Sequence, residues 1–207
     1  MASKKQMVTY DLKVSRGRTH EAASCLAQLD DQSRRLIADL EGATAAELAW
    51  QPNRGQNTIG MLLAHIAVVE AYWVAVAAGK FSPAAIKAAG GSGLAVAERE
   101  LTPVLGIGPD DDGIPLSRSG SPPAALDGWK LADYRRLLGR ARLHIAPRLL
   151  EMTERDLERL VTRQRMNGER TRQRVRWILY HVLEHLAGHY GQILLLRHLY
   201  RDRKRAR

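Results

Sequence analysis

Four stretches of the chain repeat apolar residues three and four positions apart, the spacing that gathers side chains on one face of an α-helix. Ala22, Cys25, Leu26, Leu29, Leu36, Ile37 and Leu40 mark the first, over about 18 to 41, with Gly42 placed to end it. Ile59, Leu62, Leu63, Ile66, Val69, Trp73 and Val76 mark the second, running to about Ala78 before Gly79. Leu131, Tyr134, Leu138, Ala141, Ile145 and Leu149 mark the third, over about 130 to 152, with Pro147 set to kink it. The fourth spans about 172 to 200 and is apolar almost all round.

Between the first two helices, Thr44-Ala-Ala-Glu47 has capping-box spacing, and Thr153-Glu-Arg-Asp156 repeats it between the last two. Each half therefore reads as long helix, capped turn, Asn/Gly loop (Asn167-Gly168 in the second half) and a long helix carrying histidine. The expectation is an all-α fold, a four-helix bundle built from two helical hairpins. One domain would occupy 17–200, after a loose arm at 1–16 and before a frayed basic tail at 201–207. Residues 80–128, rich in Gly, Pro, Ser and Asp, form a variable connection with short helices near Ser82 and Leu94 and a loop, expected to be mobile, from Gly106 to Pro123.

Composition fits one such domain: 207 residues, 45% of them hydrophobic, with a single Phe and few β-branched runs to feed a sheet. Cys25, the only cysteine, falls on an apolar helix face and is read as packing, in keeping with a reducing cytoplasm. The first residues lack the apolar run of a signal peptide, and no segment is expected to serve as a membrane span. The net charge of +10 concentrates in Arg163 to Arg176 and in the tail. No zinc-finger spacing, RNA-binding aromatic signature or groove-entering helix accompanies it, so solvated surface is preferred over nucleic-acid binding. An anionic small molecule drawn to an arginine-rich entrance is the partner this charge suits.

The chemistry concentrates in the last helix. At about 100° per residue, His181, His185 and His189 form one imidazole row, and two imidazoles one turn apart can grip zinc, iron, nickel or copper. His181 and His189 are separated by two turns, roughly 12 Å, too far to share an ion with bonds near 2.1 Å. The pair is therefore 181/185 or 185/189, and His65, deep in the second apolar helix, is the candidate third ligand. The competing reading is a set of packed, hydrogen-bonded histidines. His181-Val-Leu-Glu184-His185 formally matches an inverted protease motif, but no Glu follows to complete that ligand set.

Three segments together carry a family resemblance: Leu48-Ala-Trp50-Gln-Pro52; Asn57-Thr-Ile-Gly60 with His65 and Glu70-Ala-Tyr-Trp73; and Arg176-Trp-Ile-Leu-Tyr-His181 through Gln192. Over about 17–79 and 130–200 the chain resembles the DinB-like superfamily of small helical metalloproteins, which includes mycothiol-dependent maleylpyruvate isomerase-like domains. The resemblance implies a DinB/YfiT-like four-helix bundle with a metal held by His65, His185 and His189. In the isomerase-like branch a Glu often stands where His185 stands here, which places this chain nearer the three-histidine branch. It also implies a thiol-dependent S-transferase or isomerase in which a divalent zinc, nickel or iron activates a low-molecular-weight thiol such as mycothiol or bacillithiol. His181 would then be a pocket group, and Tyr72, Tyr190 and Gln192 candidate substrate contacts.

A metal-dependent hydrolase, with Glu184 as base, is the second enzymatic reading, disfavoured because Glu184 points about 100° away from His185. A metal-stapled or nucleic-acid-binding stress-response bundle is the non-catalytic one, for which tail-dependent, salt-sensitive DNA retention is the test. The apolar last helix further predicts a homodimer through Leu194, Leu195 and Leu199, which a monodisperse monomer in light scattering at micromolar concentration would contradict.

Overall fold

A computed structural model describes residues 11–164 and 170–205. The beginning of the expected N-terminal arm, the Asn167-Gly168 loop and the last two residues of the tail lie outside them. The described chain is mainly helical: α1 (His20–Asp39), α2 (Ala45–Leu48), α3 (Ile59–Ala77), α4 (Pro83–Ala88), α5 (Gly93–Leu105), α6 (Leu131–Leu150), α7 (Glu154–Glu158) and α8 (Val175–Arg205). A short 3₁₀ turn, Ala124–Leu126, precedes α6.

Helix starts follow from local chemistry. Thr19, Thr58, Ser82 and Ser92 each accept a backbone N–H of the first turn of the helix that follows, satisfying a donor that would otherwise lack a partner. The Thr153 and Asp156 pair completes its box in both directions, at 2.9 and 3.2 Å. At Thr44 only the hydroxyl takes part, and the Glu47 carboxylate turns instead to Arg197, 3.3 Å away. Pro147 lies inside α6, which continues through it to Leu150.

Two features differ from expectation. Residues before α8 form a two-stranded antiparallel sheet, β1 (Leu160–Gln164) and β2 (Arg170–Arg174), with Leu160 opposite Arg174. In β2, exposed Arg170, Arg172 and Arg174 alternate with half-buried Thr171 and Gln173, the period-2 pattern of a strand, masked in the sequence by its density of charge. The end of the chain also does not fray where expected, since α8 continues through Arg205.

The packing order differs too. α3 packs on α6 and α8, and α1 packs on the same two helices, so the long helices of each half meet those of the other half rather than closing two hairpins. Contacts give the directions. Glu21 meets Arg176 and Asp39 meets Tyr190, so α1 and α8 run parallel. Glu70 meets Arg142, and Tyr134 stands over Gly60, so α3 and α6 run parallel, whereas the Arg142 to Ser33 bond and the Arg135 to Glu41 pair make α1 and α6 antiparallel. α3 lies at the centre, with residues buried on nearly every side. It is the one described helix long and apolar enough to cross a membrane, where none was expected to be, and 78% of its apolar window is buried in the protein.

Candidate metal centre

α3 and α8 run antiparallel past one another, and at their crossing three imidazoles converge. His185 Nε2 lies 3.1 Å from His65 Nε2 and 3.0 Å from His189 Nε2. One ligand nitrogen from each lies within 4.8 Å of the other two, a grouping that could hold a metal ion. Nitrogens bound tetrahedrally to one ion at about 2.1 Å would stand roughly 3.4 Å apart, so the spacing is close to that of a ligand set.

The outer nitrogens decide what faces inward. His65 Nδ1 lies 2.8 Å from Asp112 Oδ2, and His189 Nδ1 lies 2.7 Å from Gln192 Oε1. Both partners are acceptors, so both Nδ1 atoms carry a proton, and in the neutral ring that leaves the Nε2 lone pair facing inward. His185 Nε2 has one proton at most and cannot donate to both neighbours. The cluster therefore points at least two lone pairs at a common space, an arrangement that a cation stabilises and that packing alone does not explain.

Electrostatics favour the neutral form of His185 and His189. Burial, then the neighbouring His189, His65 and His181, hold His185 down to about 3. His189 is also lowered, by burial and His65 against the opposing Gln192 hydrogen bond. Neutral imidazole is the ligand form.

The other predicted residues scatter. His181, one turn before His185, is absent from the converging group; its ring stacks on Trp177 at 5.0 Å and meets Trp73 edge-on at 5.2 Å. Tyr72 stands two turns beyond His65 on α3, and its hydroxyl accepts from Arg163 at 2.7 Å. Tyr190 does not join the site, because its hydroxyl donates to Asp39 on α1, across the opposite seam of α8. Gln192 serves His189 as orienting acceptor. Cys25 is buried, and burial pushes its thiol up to about 12, so it stays protonated and belongs to the core as expected.

Sequence reading missed one residue. Asp112, 1% exposed, comes from the loop after α5, where its other oxygen accepts the Ile114 N–H. That loop is tied to the body of the protein through His65 and through Gly120, whose carbonyl accepts from Gln51 and Gly55. The available signal was the run Asp110-Asp111-Asp112 inside a Gly/Pro loop. Arg163 on β1, the first of the arginines expected to draw an anion, also stands here, with its guanidinium 4.3 Å over the Trp73 ring. Asp112 and Arg163 both line a cleft of about 720 Å³ with His65 and Tyr72.

A mainly helical protein that brings three histidines from two helices into position to hold a metal ion is thereby defined. The family model described as the DinB superfamily matches residues 13–193, and the chain belongs to that superfamily. No curated protein matches it.

Proposed function

We propose that the protein is a metal-dependent enzyme of thiol chemistry, a transferase or isomerase, and that its four long helices form the four-helix bundle typical of DinB-like proteins. The observation that carries this reading is the convergence of three imidazole Nε2 atoms on a common space, with two of the rings locked by outer acceptors. His65, His185 and His189 would hold a divalent zinc, nickel or iron ion. When bound, such an ion supplies Lewis acidity that lowers the pKa of a thiol and favours its thiolate.

The remaining work falls to the chain. Asp112 keeps the His65 ring in one tautomer and one orientation. Val68, Val69 and Ile114 give the cleft apolar walls that exclude water from the reacting end. Tyr72 offers a hydroxyl already held by Arg163, and His181 stands beside the cluster as a pocket group. Hydrolysis fits less well, because Glu184 is exposed and pairs at 3.5 Å with His181 rather than facing the three histidines. The lone buried Cys25 suits a reducing cytoplasm.

Elemental analysis of the purified protein tests the reading directly. About one transition-metal ion per chain is expected, lost in His65→Ala, His185→Ala and His189→Ala and kept in His181→Ala. Metal-free protein that cannot be reconstituted would sink it, and retention by His189→Ala with loss in His181→Ala would transfer the pair to 181/185.

A further inference from the structure

The cleft at His65 does not end at Tyr72. A second cavity of about 830 Å³ shares Tyr72, Ile86 and Arg163 with the first and extends to Lys87 and Arg170. One end of the combined cleft is the His65 imidazole with Asp110 and Asp112, the middle is aromatic and aliphatic, and the far end is cationic. Tyr72 follows His65 by seven helical positions, a rise of about 10 Å, which sets the scale of the separation.

Arg163 is held without being neutralised. Its guanidinium lies over the Trp73 ring at 4.3 Å and 5.2 Å from the Tyr72 ring centre, and it donates to the Tyr72 hydroxyl. Stacking and one neutral acceptor fix the plane of the group while leaving most of its five N–H donors for another partner. Among the described residues no carboxylate pairs with Arg163, Arg170 or Lys87. By contrast, two arginines further along are matched: Arg174 pairs with Glu158, and Arg176 pairs with Glu21, Glu154 and Glu158. Among the described residues, Arg163, Arg170 and Lys87 thus bring charge unpaired with any carboxylate to the cleft.

We infer that the cleft is a two-ended substrate site, in which Arg163, supported by Arg170 and Lys87, binds the oxyanion of an elongated, apolar-bodied small molecule whose reactive end reaches His65. The reactive end rests on the metal reading above; the anion-binding end does not. A carboxylate and a phosphate ester present the same bidentate oxyanion chemistry to a guanidinium. A neutral ligand of equal length would leave the arginine's donors desolvated and unpaired, so discrimination by charge is expected to be strong.

The test uses the purified, metal-loaded full chain and three probe series of increasing length: ω-mercaptoalkanoates, ω-mercaptoalkyl phosphates and uncharged ω-mercaptoalcohols, with Kd from calorimetry. At least one anionic series should bind about 10-fold or more tighter than the alcohol of equal length, the advantage growing until the chain spans about 10 Å. Which anion leads identifies the oxyanion. In Arg163→Gln the advantage should collapse while alcohol affinity stays within about 2-fold, and Arg163→Lys, keeping charge but losing the fork, should retain part of it. Equal binding of acids and alcohols by the parent protein, or equal weakening of both by Arg163→Gln with metal content intact, overturns the proposal. Simple alkanoates without the thiol separate the two readings. Arg163-dependent alkanoate binding by a protein that holds no metal would sink the metal reading and uphold the anion site.

Discussion

Asp112 shows how much one side chain can decide at the candidate site. Its carboxylate fixes the tautomer of His65 and so determines which nitrogen faces His185. Asp112→Asn can present its amide N–H₂ to Nδ1, which favours the opposite tautomer and places a proton where a lone pair is needed. Metal affinity should fall roughly 10- to 100-fold with the helical content unchanged, measured by competition with a chromophoric chelator; unchanged affinity would remove Asp112 from the site. At this scale the sequence was half legible. Helical periodicity, which converts spacing into direction, put His181, His185 and His189 in one row and left the pair 181/185 or 185/189 open; the family resemblance selected His185 and His189 with His65. Asp112 could not be picked out, since it reaches His65 across 47 positions from a loop without period. Tyr190 misled for the complementary reason: adjacency to His189 in sequence is a 100° turn in space, and it faces α1.

At the scale of elements, a close crossing involves Gly60. A Cβ there would run into the buried Tyr134 hydroxyl, so α3 and α6 approach through the absence of a side chain. Alanine would raise helix propensity by up to about 1 kcal/mol, but overpacking costs about 1 to 3 kcal/mol, and the rigid phenol ring has little freedom to withdraw. Gly60→Ala should therefore lower the Tm, and adding Tyr134→Phe should restore much of it. A single variant as stable as the parent would contradict the tight crossing. Helix spans and most caps were readable because they depend on neighbours in the chain. The order of packing was not, because the repeat of two halves says nothing about which long helices touch. The β1–β2 pair was obscured by its arginines, and Glu47 left its box because Arg197, from the far end of the chain, competes for its carboxylate.

On the scale of the whole molecule, one buried ionic group joins three helices. Glu70 on α3, 1% exposed, meets Arg142 of α6 at 3.1 Å, and Arg142 also reaches Asp30 and Ser33 of α1. Burial raises the Glu70 carboxyl to about 7, with Arg142 opposing that rise and Asp30 adding to it. The unfolded chain releases this proton near 4.5, so between 4.5 and 7 the folded state binds more protons, and stability falls as pH rises. Compared with Glu70→Gln, the parent protein should lose up to about 3 kcal/mol of relative stability across that window and change little above it, as read from denaturant unfolding at a series of pH values. A difference independent of pH would place the Glu70 proton elsewhere.

Placing each half's long helices against those of the other half also has a consequence in time. His65 and His185 touch across 120 positions of chain. During synthesis His65 leaves the ribosome with α3, long before α8 exists, and α3 must wait with much of its apolar surface uncovered. No fragment ending before α8 can assemble the three-imidazole cluster, so a metal ion captured there would mark a finished chain. Through mass action it would also hold the first and last thirds of the molecule together against unfolding.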